Sequence, residues 1–307
     1  MEGVAQAAFW LAMAATGVAS VAYWVHVIGL RVTVRRLATE AGDGPGVPAV
    51  ETGSSGWSEP AGRLGAYATR AAVALLVLWG LARWQAVDHA PWSNMYEFTT
   101  ALAGTIAAFS AAFEQTYVKR SGRRSAQALG GLAMPLVLAM LVVAALFFPA
   151  DIRPLVPALQ NSDLLAVHVA LMILSYGALS VSFAAAVMYL AQGSEGTGRF
   201  PRLPRIRTLD DIAYRSVMVG FPLLAAGIAL GAYWADHAWG RYWGWDPKET
   251  SALVTLLIYG VYLHMRGLRN WAGTRSAWVL VAAFGAVMFT YFVVNLWVSG
   301  LHSYAGV

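Results

Sequence analysis

The sequence predicts an all-α, polytopic membrane protein of about eight transmembrane helices, and three observations carry that prediction. Of 307 residues, 58% are hydrophobic and 12% charged, with a mean hydropathy of +0.56, a balance too apolar for a soluble domain. The apolar runs are long enough to cross a hydrocarbon core of about 30 Å, which takes about 20 helical residues. Lys and Arg alternate between dense and sparse connections along the chain.

The runs follow in order. Ala7 to Leu30 is preceded by Glu2 in place of a basic leader and continues into Arg31, Arg35 and Arg36, the pattern of an uncleaved first span and not of a secretory signal. Thr39 to Pro60 is rich in Gly, Pro, Ser and acidic residues; it lacks the apolar area to order itself and reads as a mobile cytoplasmic loop. Gly65 to Val87, Phe98 to Tyr117, Ala126 to Phe148 and Asp163 to Ala191 are the next four spans. Gln192 to Thr208 mixes Gly, Pro and Arg, an inner-face connection suited to anionic lipid. Asp210 to Ala235, Glu249 to Met265 and Ser276 to Val298 complete the set.

Connections after the odd-numbered spans hold most of the Lys and Arg, whereas the opposite loops hold only Arg83, Arg153, Arg241 and Lys248. Basic loops stay inside, so both termini and the loop 234–250 are expected on the outer face. Arg70 and Arg215 fall near inner helix ends and are expected to snorkel. The formal charge of +5 is then an inner-leaflet address and no sign of nucleic acid. Cysteine is absent, which excludes a disulfide, a thiolate metal site or a catalytic dithiol within the chain. No glycine-rich phosphate loop appears. The whole of 1–307 reads as a single transmembrane domain.

From Trp234 to Thr250 the chain sets Trp234, Trp239, Trp243 and Trp245, with Tyr242 and His237, on one short connection. An aromatic belt is the plain alternative, but a belt spreads over many helix ends. A wall for a flat apolar macrocycle fits this density better, with indole faces and N–H donors and turns at Gly240 and Gly244. Asp246 before Pro247 reads as the cap of the next helix.

Depth sorts the six histidines. His168 lies roughly 8 Å below the outer boundary at 1.5 Å per residue, and His302 sits just beyond the last span. These two suit axial ligation of haem iron from opposite faces. His264 and His26 share a depth near the inner boundary, where an ionisable group is costly and usually faces the bundle; two imidazoles at one level suit a second, inner haem, although an interhelical hydrogen bond explains either equally well. His89 and His237 fit wet loops and need no role.

The run Trp239-Gly-Arg-Tyr-Trp-Gly-Trp-Asp-Pro-Lys-Glu-Thr250 resembles the tryptophan-rich signature of haem-handling membrane proteins. The rest of the chain resembles the CcsA (ResC) type of cytochrome c-type biogenesis protein of System II. The likeness extends to His89 through Glu97, Val156 through Gln160, the His168 helix, Tyr262-Leu-His264, and Asn295 through Tyr304. It implies that His168 and His302 are the outer haem ligands and His264 the one deep in the membrane, with a CcsB (ResB) type subunit as the possible source of its partner; His26 is proposed on depth alone. It implies haem b as substrate and bound ligand, an apocytochrome c, and a thioredoxin-like thiol reductant. The membrane it implies is a bacterial plasma membrane or a thylakoid-type one.

The reaction implied is thioether formation between haem vinyl groups and the thiols of a Cys-x-x-Cys-His segment, a cytochrome c haem lyase activity. Both thiols belong to the substrate, consistent with a chain lacking cysteine. Asp246 and Glu249 are the nearby candidates for protonating the vinyl carbon. Two other functions compete: a haem transporter or chaperone that leaves bond formation to another protein, and a di-haem electron-transfer subunit. The second of these predicts His pairs on packed helices at both levels, and leaves the aromatic loop without a role.

Overall fold

The computed structural model describes residues 1–37, 47–54, 56–152, 163–193, 200, 203–268, 271 and 273–302. The described residues are overwhelmingly helical: α1 Glu2–Gly29, α2 Ser58–Val87, α3 Met95–Ser121, the short α4 Arg123–Ala128, α5 Gly130–Phe147, α6 Asp163–Gln192, α7 Ile206–Trp239, α8 Pro247–Gly267, α9 Thr274–Met288 and α10 Asn295–Trp297. A π-helical segment, Phe289–Val294, joins α9 to α10. Strands β1 Leu30–Leu37 and β2 Val47–Ser54 pair antiparallel, Leu30 opposite Ser54 and Leu37 opposite Val47. The expected loop from Thr39 to Pro60 is therefore corrected in part: 47–54 is strand and 58–60 opens α2, because a ladder is made by main-chain groups and needs no apolar side chains. Residues 38–46 and 55 lie outside the described residues, as do Val156 through Gln160, Ser303 and Tyr304.

Among the described residues, six helices are long and apolar enough to cross a membrane: Glu2–Gly29, Ser58–Val87, Ala126–Phe147, Asp163–Gln192, Ile206–Trp239 and Thr274–Trp297. The protein is an integral membrane protein. Two further expected spans exist as helices α3 and α8 but are less apolar. The reason is where they keep their polar groups. Glu97, Thr99, Thr100, Ser110 and Glu114 of α3 are all buried, and Lys248 and Glu249 of α8 line a cavity.

Helix α1 packs along α2 and α5, α3 lies between α5 and α6, and α6 packs along α7 and α9; α8 rests on α9 and α7. Small residues permit these approaches, as in membrane helix pairs generally. Ala5, Ala8, Ala12, Thr16, Ala19, Tyr23 and His26 form the buried stripe of α1, with spacings of three and four that keep them on one face. Tyr23 wedges between α2 and α5, where a Cβ on Gly65 or Gly130 would come within 2.9 or 2.4 Å of its ring. Pro135 and Pro222 sit inside α5 and α7, a placement that membrane helices generally tolerate.

Candidate functional site: a histidine and tryptophan cavity

A cavity of about 630 Å³ opens where the ends of α2, α6, α7, α8 and the π segment converge, a size typical of small-molecule and cofactor pockets. His168, His302, His89, Trp234, Trp243 and Lys248 are among its lining residues. His168 is delivered from the first turns of α6, and its Nδ1 donates to the Gly227 carbonyl of α7 at 2.7 Å. That bond fixes the tautomer and leaves the lone pair on Nε2, the arrangement that orients an imidazole for metal. The two helices come this close at a glycine: a Cβ on Gly231 would lie 2.5 Å from His168 Cε1.

His302 arrives from the far end of the chain and is held by the start of α8. Its Nδ1 lies 2.8 Å from Asp246 Oδ2. As predicted, Asp246 caps α8 with Pro247 following. A capping box is complete, with Asp246 accepting from the Lys248 amide and Glu249 Oε2 accepting from the Asp246 amide. Asp246 also accepts from the Leu301 amide at 2.6 Å. One carboxylate thus caps the start of α8 and clamps the segment that carries His302. Burial, joined by the charge of Lys248, lowers the His302 imidazole to about 4 despite Asp246 beside it. Burial pushes the Asp246 carboxyl up, but bonds from His302 and the two amides outweigh it and the net shift is downward. The pair therefore stands at neutral pH as an ionised carboxylate beside a neutral imidazole, the form a metal ligand needs.

The tryptophans divide. Trp234 is buried and meets Trp239 edge-on at 4.8 Å, and Trp239 meets His302 edge-on at 4.9 Å. Trp243 lines the cavity. Trp245 does not join them: it is 70% exposed, touches Trp243 by an edge at 5.9 Å, and takes a left-handed backbone, φ 55°. The turn expected at Gly244 falls instead on Trp245, because Glu249 Oε2 binds the amides of both Gly244 and Asp246 and the residue between them must reverse the chain. Gly240 does turn left-handed, φ 72°, at the end of α7.

Residues 92–302 match the family model described as cytochrome C assembly protein. The chain is 38% identical over 234 residues to the cytochrome c biogenesis protein CcsA of Chlamydomonas reinhardtii, an alignment covering 75% of this chain and 65% of that one. It is 37% identical over 272 residues to the protein of that name from Synechococcus elongatus, covering 73% and 81%. With the Gloeobacter violaceus protein it shares 35% over 292 residues, covering 76% and 84%. The chain belongs to the cytochrome c assembly protein family.

The stretch matched by the cytochrome c assembly family runs from Trp92, on the first loop of the cavity, to His302 on its last. His26 lies before it. The structure does not bring His26 and His264 together. His26 is fully buried on the packing stripe of α1, its Nδ1 2.8 Å from the Ser58 carbonyl, while His264 is exposed on α8, which packs against α7 and α9. Equal depth fixes height along the membrane normal and says nothing of direction around the bundle. His237 is exposed against Tyr233, outside the cavity.

Sequence reasoning missed two contributors, a buried ion pair and the π segment. Arg83, expected among the outer loops, is buried on α2 and paired with Glu97 at 2.8 Å; it also donates to the Ala150 carbonyl. Glu97 further accepts from Ser93, pinning the loop that carries His89 and Trp92. The π segment turns Thr290 and Tyr291 into the cavity, a frequent role for such bulges, and Tyr291 is tied to Thr99 of α3 by a short hydrogen bond. Asn295 donates to the Tyr291 carbonyl, leaving its Oδ1 buried at the cavity without a partner among the described residues. Only an Arg and a Glu at matching helix ends hinted at the ion pair, and nothing in the sequence marked the π turn.

Proposed function

We propose that this chain serves cytochrome c maturation by binding haem b as substrate in the histidine and tryptophan cavity and presenting it for covalent attachment to an apocytochrome c. The observation that carries the reading is the convergence of His168 and His302 on one cavity, each with Nδ1 held by the protein. The donor set fits the group: two oriented imidazoles and an indole wall. On this reading His168 and His302 bind the iron, and Trp234, Trp239 and Trp243 hold the ring. Trp245, exposed on the rim, is left for the incoming apocytochrome.

The chemistry asked of the chain is positional. Orientation alone can lower a barrier by about 7–11 kcal/mol, and axial imidazoles tune the iron potential. Asp246 keeps His302 in place, and its ionised state makes it a positioning group in this resting form. The proton for the vinyl carbon then comes from the substrate thiol, whose S–H adds across the vinyl double bond as the C–S bond forms. A CcsB (ResB) type subunit and a thioredoxin-like reductant complete the assembly. The exposed face of α8, Val254, Leu257, Val261 and His264, gives that subunit a surface on which a second imidazole meets His264 and takes haem on its way outward.

The eight-span topology, with both termini and the cavity on the outer face of a plasma or thylakoid-type membrane, rests on the Lys and Arg distribution and on the inward-turned polar groups of α3 and α8. Co-expression with a c-type reporter tests the function. Thioether product that depends on this chain and its partner supports the lyase; haem held by the complex with no product favours a transporter or chaperone.

A further inference from the structure

A second cavity, of about 340 Å³, lies at the other end of the α2–α3 hairpin. Helix α2 runs from Arg63 and Arg70 at this cavity to Trp84 at the first, and α3 returns from Asn94 to Glu114 and Lys119. Its lining carries three cationic groups, Arg63, Arg70 and Lys119, against one carboxylate, Glu114. Glu114 is buried and accepts from the Tyr23 hydroxyl at 2.5 Å, so it is committed to the bundle. None of the described ion pairs engages Arg63, Arg70 or Lys119. Arg70 lies over the Tyr67 ring at 5.9 Å, which holds the guanidinium beside the opening.

We infer that this cavity binds the phosphate of an anionic phospholipid headgroup from the leaflet opposite the histidine cavity. Arginine forks match phosphate oxygens in pairs, and basic pockets between helices are a recognised headgroup geometry. Gln127, which also lines the cavity, adds an amide for the glycerol hydroxyls. The cavity is about half the volume of the first and has no imidazole or indole in its lining, which argues against a porphyrin. The acyl chains lie along Tyr67, which is exposed on the lipid side of α2. This inference is independent of the haem reading.

The test is native mass spectrometry of the purified full chain from nanodiscs containing phosphatidylglycerol and phosphatidylcholine. Parent protein is expected to retain phosphatidylglycerol selectively. Arg63→Gln and Arg70→Gln, both exposed and outside the packed core, are each expected to cut retention about fivefold, the effect of removing one cation near the surface. An unchanged helical dichroism spectrum and melting temperature identify variants that fold. Equal retention by parent and folded double variant overturns the proposal. So does equal retention of phosphatidylcholine, protection by inorganic phosphate equal to that by lipid, or displacement of the lipid by haem.

Discussion

Two pairs of histidines are expected at matched depths from the sequence, and only one pair shares a cavity. His168 and His302 are 134 positions apart in number yet line one cavity, because α7 supplies a carbonyl to the first and the cap of α8 supplies a carboxylate to the second. His26 and His264 are expected at one level, but one is sealed in the α1–α2 interface and the other is exposed on α8. Depth is a property of a single helix. Meeting is a property of how helices are rotated against each other.

The strongest way to break this contrast is at the outer pair. His168→Ala and His302→Ala are each expected to abolish the haem absorption of the outer site and maturation of a c-type reporter. Retention of both signals in either variant removes that residue as a ligand. Next in size, Asp246→Asn keeps a capping oxygen but weakens the clamp on His302, and is expected to cost about 10- to 100-fold in haem affinity, as loss of such a supporting partner does at metal sites. A spectral titration measures it.

His26→Ala sharpens the other side. Losing a buried hydrogen bond and its packing is expected to destabilise the chain by about 1–3 kcal/mol while leaving the outer haem spectrum intact. His264→Ala is expected to leave the melting temperature unchanged and to lower haem content only when the partner subunit is present. Reversed outcomes, stability loss at His264 and haem loss at His26, would exchange their roles.

His302 titrates at about 4 in the fold against 6.5 when unperturbed. A depressed histidine binds its proton more readily in the unfolded chain, so its contribution to stability is full above about 6.5 and is lost as pH falls toward 4. Parent melting temperature should fall over that window, and the decline should be shallower in His302→Gln. The smallest effect separates the tryptophans: Trp239→Ala should weaken haem binding by roughly the 0.5–1.5 kcal/mol of an aromatic contact, whereas Trp245→Ala should leave haem binding unchanged.

Much of the fold was legible in the sequence because apolar runs of sufficient length have few alternatives in a membrane. Each expected span has a helix at its position, and α8 begins at Asp246-Pro247 as the cap chemistry dictates. The site was legible where its residues cluster in sequence, as in the tryptophan loop, or lie at helix ends. Trp245 was not, since its direction is set by Glu249 binding the amides on either side of it. Arg83 was not, since its partner Glu97 comes from the next helix.

By itself the sequence determined that the chain lives in a membrane, where its helices begin and end, and which histidines fall near helix ends. These follow from local hydrophobicity and capping, which act within a helix or across its first turn. Only the tertiary structure decided which of those histidines share a cavity, that α3 and α8 turn their polar groups inward, and that a π turn brings Tyr291 and Asn295 to the site. Those depend on the rotation of each helix about its axis, which is fixed by packing against residues far away in the chain.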